Sequence, residues 1–150
     1  MHADFLHLFR SLIALPSVSS AHAHIDMGNR DVIDLLAERF TALGFSCEIM
    51  PMDYHPRKAN LIATLGTGNG GLVFAGHTDT VPFDESLWTS NPLEVTERDN
   101  RFYGLGTTDM KGFFAIVHEA VKGLEAGKLR QPLIILATAD EESSMDGAHA

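Results

Sequence analysis

Cysteine is almost missing from this chain. Cys47 stands alone, so no internal disulfide can form and a cysteine-stapled secreted scaffold is excluded. Long hydrophobic runs are missing as well, and nothing approaches the ~20 consecutive apolar residues of a membrane-spanning helix. Positive charge is scarce: 11 Lys and Arg stand against 20 Asp and Glu, a net charge of −9. That balance argues against nucleic acid or an anionic membrane as the main partner, because both need clustered basic residues. The N-terminal stretch has apolar character, but Asp4 precedes it and Arg10 interrupts it. It reads as an amphipathic helix and not as a signal peptide, so a cytoplasmic location is expected. What is present is ordinary globular material: 150 residues, 45% hydrophobic and 21% charged. This is about one domain's worth of chain, since domains run to ~100–200 residues.

Phe5, Leu8, Phe9, Leu12 and Ile13 recur at helical spacing and predict a first helix over residues 3–15, ending near Pro16. The Ser- and His-rich stretch behind it reads as loop. Asn29 or Asp31 is expected to cap a second helix in which Val32, Leu35, Leu36, Phe40 and Leu43 share a face, with Gly44 as its stop. Residues 45–50 alternate apolar and polar and suggest a half-buried strand; the turn-rich residues 52–58 lead to another strand at residues 60–66. The continuous apolar run at residues 72–76 is of the kind covered on both faces. Residues 83–100 are polar, broken by Pro92, and read as loop or edge structure, with a short strand at residues 101–104. Met110, Phe113, Phe114, Val117, Val121 and Leu124 form a helical stripe with Asp109 at its start and Gly127 past its end. Residues 132–139 form a second buried strand. The alternation predicts a layered α/β fold with a largely parallel central sheet flanked by helices.

The two most apolar strands run straight into polar clusters, His77-Thr-Asp79 after one and Asp140-Glu141-Glu142 after the other. Ligands gather beyond the carboxyl ends of strands in open α/β sheets, so parallel strands would bring both clusters to one crevice. Between them, a Gly-rich approach leads to a helix headed by Asp109. Thirty-two residues separate His77 from Asp109 and thirty-three separate Asp109 from Glu142, room for one crossover each. One imidazole with several carboxylates and no thiol nearby suits a hard or borderline divalent ion. A carboxylate can bridge two ions, as two-metal hydrolases require, and Asp109 is placed to do so. Asp79, two residues beyond His77, points to the same side in extended structure and could accept the other imidazole N–H. Glu141 and Glu142 must diverge if that segment is extended, which would let one bind metal while its neighbour moves protons. Each residue also has an ordinary structural reading: His77 hydrogen-bonded, Asp109 an N-cap, the two glutamates solvated loop charges, Lys111 a surface charge. His22, His24 and His55 sit in polar loops, and His2, His7 and His118 lack carboxylate-rich surroundings.

Three segments, Gly76 to Pro82, Tyr103 to Gly112 and Ala137 to Ala148, together resemble the co-catalytic metallohydrolases, a family that includes acetylornithine deacetylase, succinyl-diaminopimelate desuccinylase, aminoacylase and glutamate carboxypeptidase. The stretch from His77 to Ala115, with its Trp88-to-Pro92 segment, is most similar to the acetylornithine deacetylase branch. The resemblance implies two zinc ions (cobalt is an alternative), with His77 on one, Asp109 bridging both and Glu142 on the second. It also implies that Asp79 orients His77, that Glu141 is the general acid/base, and that the Asp109–Met110 peptide is cis. The implied reaction removes the acetyl group from N2-acetyl-L-ornithine, giving L-ornithine and acetate in arginine biosynthesis. A desuccinylase or other N-acyl-amino-acid hydrolase is the runner-up, and a non-catalytic α/β binding module is the reading of another class. The implied partner is a small N-acyl amino acid, and the implied assembly of the whole protein is a homodimer. Members of that family are more than twice this length, so residues 1–150 are expected to be the N-terminal part of the catalytic domain. The dimerisation domain, a further acidic ligand and a late His ligand would then fall outside them. On that expectation the chain alone binds zinc weakly, turns over little substrate and leaves apolar surface open.

Overall fold

The computed structural model describes residues 3–150, so His2 lies outside the described residues. Two helices come first, α1 (Ala3–Ala14) and α2 (Arg30–Ala42). Three strands follow, β1 (Ser46–Met52), β2 (His55–Leu65) and β3 (Leu72–His77), then a small ribbon of β4 (Thr96–Arg98) and β5 (Arg101–Tyr103). Helix α3 (Lys111–Val121), strand β6 (Leu133–Thr138) and the short α4 (Asp146–His149) complete the order. The main sheet runs β1-β2-β6-β3.

The helices form where their apolar residues can share a stripe. Leu8, Phe9, Leu12 and Ile13 of α1, Val32, Ile33, Leu36 and Phe40 of α2, and Phe114, Ala115, Val117 and Val121 of α3 are all buried. They meet Ala59, Leu61, Ala63 and Leu65 of β2 and Leu133, Ile135 and Ala137 of β6 in one cluster. Every second residue of β2 and β6 therefore faces the helices, while Ile62, Ile134 and Leu136 on the other face are only half-buried. Helix α3 stops at Val121, short of the expected Gly127, because the chain turns at Gly123 with φ +80°.

The layered α/β class is as expected, but the strand directions differ from the expected largely parallel order. Only β3 and β6 are parallel; β1–β2 and β2–β6 are antiparallel. The reason lies in the connections. Two residues, Asp53 and Tyr54, join β1 to β2, and so short a link permits only a hairpin. Strand β2 also begins earlier than expected and absorbs residues read as turn. Pro51 faces Ala59 while Met52 faces His55, so Pro56 to Lys58 lie in a bulge where a residue without an N–H is tolerated. Strand β3 pairs on one side with β6, and Leu72 and Val73 are 57% and 50% exposed. It is an edge strand in this chain, not the doubly covered one that its apolar run suggested.

Asn29 holds the N-cap position of α2 but makes no capping bond. Its buried amide instead donates to Ala59 O at 2.8 Å and Thr78 Oγ1 at 2.7 Å and accepts from Ala59 N at 2.9 Å. A buried amide needs all its partners, and here they tie the start of α2 to β2 and to the residue after β3. Among the described residues no helix is long and apolar enough to cross a membrane.

The start of α3 is packed without slack. A Cβ on Gly112 would meet the Thr107 carbonyl oxygen and come within 2.7 Å of the Phe9 ring, whereas one on Gly127 would meet nothing within 4 Å. Gly112→Ala is accordingly expected to destabilise the chain by about 1–3 kcal/mol. Gly127→Ala should stay within about 0.5 kcal/mol of the parent in the same denaturant titration.

Candidate active site

Strands β3 and β6 end side by side because they are parallel and in register, His77 opposite Thr138. The Thr78 N–H and its Oγ1–H both donate to Thr138 O, at 2.9 and 3.0 Å, and Ser17 Oγ donates to Thr78 O at 2.7 Å. The two polar clusters therefore leave the sheet at one edge, as ligand-binding segments do in open α/β sheets.

Asp79 sits between the clusters and is 2% exposed. Its carboxylate accepts from Glu141 N at 3.2 Å and from Glu142 N at 3.0 Å, one oxygen to each amide. The same carboxylate lies 3.5 Å from His77 Nδ1, which is also 3.1 Å from the Asp79 carbonyl oxygen. The shared side expected of His77 and Asp79 is present. Beyond it, Asp79 grips the backbone of the opposite cluster, a contact that spacing did not suggest.

On its other nitrogen, His77 Nε2 lies 3.1 Å from Asp109 Oδ1 and 3.6 Å from Glu141 Oε2. Asp109 does not cap α3. Met110 holds the N-cap position, the Asp109–Met110 peptide is cis, and the Asp109 carboxylate is 76% exposed. The Gly-rich approach is folded by Gly112 N donating to Gly106 O at 2.9 Å and Thr107 Oγ1 to Gly104 O at 2.8 Å. Lys111 is not a surface charge. It is fully buried, and its Nζ donates to Leu15 O at 2.7 Å, away from the carboxylates. Burial pushes its pKa down to about 8.

Glu141 and Glu142 do not diverge, because residues 141–144 form a turn and not an extended segment. Donor atoms of His77, Glu141 and Glu142 all lie within 4.8 Å of one another, and Asp109 joins this group through His77. Burial, followed by the charge of Asp109, raises the Glu142 carboxyl above its ordinary range, with His77 opposing. Burial alone would lower the His77 imidazole. The hydrogen bond and charge of Asp79, the hydrogen bond to Asp109 and the charge of Glu141 outweigh it and hold the pKa at about 9. One imidazole thus faces four carboxylates, a set that favours a cation. An open cleft of about 470 Å³, lined in part by Ile62, His77, Met110, Leu136 and Glu141, adjoins it.

The other histidines among the described residues stay apart. His7, His22, His24 and His149 are exposed and His55 is partly exposed, whereas His118 is buried edge-on against Phe40. Three residues beside the site had no role assigned from the sequence. Asp140, Tyr54 and Lys58 form a hydrogen-bonded group under the 141–144 turn. Only the place of Asp140 at the head of an acidic triplet could have drawn attention to it.

Residues 73–150 match the family described as peptidase family M20/M25/M40, and the chain belongs to that family. An acetylornithine deacetylase of Photorhabdus laumondii is 55% identical over 144 residues, covering 96% of this chain and 37% of that protein. The acetylornithine deacetylase of Pasteurella multocida is 54% identical, covering 97% of this chain and 38% of its own length. The chain therefore spans little more than a third of these relatives. The fold is shared with human carnosine dipeptidase 1, at a TM-score of 0.78 and 24% identity over 94% of this chain and 32% of that one. It is shared equally with an M20 family metallo-carboxypeptidase from Sulfolobus solfataricus, at a TM-score of 0.78 and 23% identity over 95% of this chain and 32% of that one.

The imidazole carries a pH prediction. Its raised pKa adds stability that is fully present below the ordinary value of 6.5 and is lost as pH rises through about 9. In the cation-free chain, the His77 ring should titrate near 9 by NMR. Asp79→Asn should move that midpoint down and flatten the loss of stability across the same interval.

Proposed function

We propose that this chain carries the site of a zinc-dependent amide hydrolase of the acetylornithine deacetylase type, removing the acetyl group from N2-acetyl-L-ornithine to leave L-ornithine and acetate. The observation that carries the chemistry is the meeting of the His77 imidazole with the carboxylates of Asp79, Asp109, Glu141 and Glu142 at one strand edge. The substrate is argued from the 54–55% identity to deacetylases of that name.

The donors fit a pair of divalent ions by chemistry: oxygen and imidazole nitrogen, no thiol, and an excess of negative charge. In this reading His77 would hold one zinc, Glu142 would hold the second, and Asp109 would be shared between them; cobalt would suit the same donors. Bound there, the ions would supply Lewis acidity for a carbonyl oxygen and lower the pKa of water towards ~7. Asp79 keeps the His77 ring oriented through Nδ1, so that Nε2 faces the site. Glu141 takes a proton from the attacking water and returns it to the departing α-amino nitrogen, as microscopic reversibility requires. Its carboxylate, 45% exposed and 3.6 Å from His77 Nε2, is free to exchange protons with solvent. The neighbouring cleft would receive the acyl-amino acid. By the same resemblance, the protein works as a homodimer, and the chain belongs to its catalytic domain.

Each ion would have two protein donors from this chain, one fewer than catalytic zinc normally keeps. Zinc titrated into the 150-residue chain should therefore bind weakly, and binding should release a proton as His77 gives up its own. Calorimetry in buffers of different ionisation enthalpy reads that proton, and two tight sites would contradict the donor count. For the reaction, the protein should hydrolyse N2-acetyl-L-ornithine in preference to N-succinyl-diaminopimelate; the reverse order would overturn the substrate assignment. Glu141→Gln should lower kcat by about 10²–10⁴ while retaining zinc, and undiminished turnover would mean that another group moves the proton.

A further inference from the structure

The turn that carries Glu141 and Glu142 begins at Asp140, a non-glycine residue in the left-handed region with φ +59°. That conformation is uncommon for a residue with a side chain, though Asp is among those that adopt it, and here the side chain is fixed by donors far along the chain. Asp140 is 2% exposed, and its carboxylate is saturated with donors. Oδ1 accepts from Ser19 Oγ at 2.8 Å and from Lys58 Nζ at 2.6 Å, and Oδ2 accepts from Tyr54 OH at 2.7 Å. Lys58 is in turn fixed by Asp26, its Nζ lying 2.9 and 2.7 Å from the two carboxylate oxygens. Tyr54 is at the tip of the β1–β2 hairpin, and Lys58 is in the bulge of β2 that turns its side chain inward. The hairpin thus reaches across to the end of β6. From the other side, Asp79 accepts the Glu141 and Glu142 amides. The turn is held at its first residue by one clamp and at its next two by another.

We propose that Asp140 is a positioning residue for the Glu141–Glu142 pair, held by Tyr54 and Lys58, so that the β1–β2 hairpin sets the geometry of the hydrolytic site from outside it. This rests on the function proposed above for the two glutamates. Asp140 touches neither substrate nor ion; it fixes where the following carboxylates point. Asp79 and Asp140 have distinct duties, one orienting His77 and the amides, the other selecting the backbone conformation that lets both glutamates face inward.

Two readouts test this in the 150-residue chain. The first is amide hydrogen exchange at Glu141 and Glu142, which needs no metal. Tyr54→Phe, a change at a residue 52% exposed, and Asp140→Ala should both speed exchange at these two amides while leaving Ala63 and Ile135 in the sheet unchanged. The second is zinc affinity by calorimetry with the Co²⁺ absorption spectrum as a signature of donor geometry. Asp140→Ala should weaken zinc about 10–100-fold and alter the Co²⁺ spectrum. Asp140→Asn, which tolerates the left-handed conformation and keeps an acceptor, should restore most of both. Unchanged exchange at Glu141 and Glu142 in Tyr54→Phe and Asp140→Ala would overturn the proposal. A parent chain that takes up no zinc would instead sink the hydrolase reading, while the exchange experiment still decides the clamp.

Discussion

A single buried carboxylate, that of Asp79, is the constraint on which the site depends. Placing a charge in the interior is costly unless its partners are fixed in advance. Here the partners are the Glu141 and Glu142 amides and the His77 imidazole. Each belongs to the site, so satisfying the charge and assembling the constellation are one act. This is possible only because β3 and β6 are parallel and end level. Were either strand shifted by one residue, the alternation of side chains would turn His77 or the 140–142 segment to the wrong face.

The third contributor arrives by packing. Between β3 and β6 the chain makes a crossover through α3, and its docking against α1 sets where Asp109 stands. Gly112 lets α3 approach Thr107 and Phe9 more closely than any side chain would permit, and Lys111 anchors the same turn to Leu15 at the end of α1. The hydrophobic stripe of α1, far in sequence from any acidic cluster, thereby takes part in placing Asp109 beside His77. The second buried clamp, at Asp140, works on the opposite side of the site through the β1–β2 hairpin.

What could be read from the sequence was what is local. The stripes of α1, α2 and α3 and the apolar runs of β3 and β6 announce themselves by period, and the polar residues that follow those strands announce the site. The grouping of His77, Asp79, Asp109, Glu141 and Glu142 was legible because parallel strands end at one side of a sheet and the spacings leave room for a crossover that puts Asp109 between them. Strand direction in β1 and β2 was not legible, because it hangs on a two-residue link inside a stretch rich in turn-forming residues. The exposure of Leu72 and Val73 was hidden for a related reason: an apolar run records what a strand can bury, not which neighbours it has. By type, Asn29 reads as a cap, Lys111 as a surface charge, Tyr54 and Lys58 as turn, and Asp140 as one more acid of the cluster after β6. Their partners lie 30 to 121 residues away along the chain, and pairings over such distances leave no periodicity to detect.

The disposition of the lysines sharpens the electrostatic argument. Lys58 and Lys111 are both buried next to segments of the site, and either could have neutralised its carboxylates. Neither does so. Lys58 is committed to Asp26 and Asp140, and Lys111 is turned to the Leu15 carbonyl just past the end of α1. The negative charge around His77 is therefore left to the imidazole itself, which responds by holding its proton more tightly than a free histidine. A fold that merely needed this charge balanced could have used an ammonium group already at hand. One that keeps both ammonium groups away, and leaves a titratable nitrogen facing the carboxylates, has the electrostatics that the proposed metal site requires, where a proton and a divalent cation would compete.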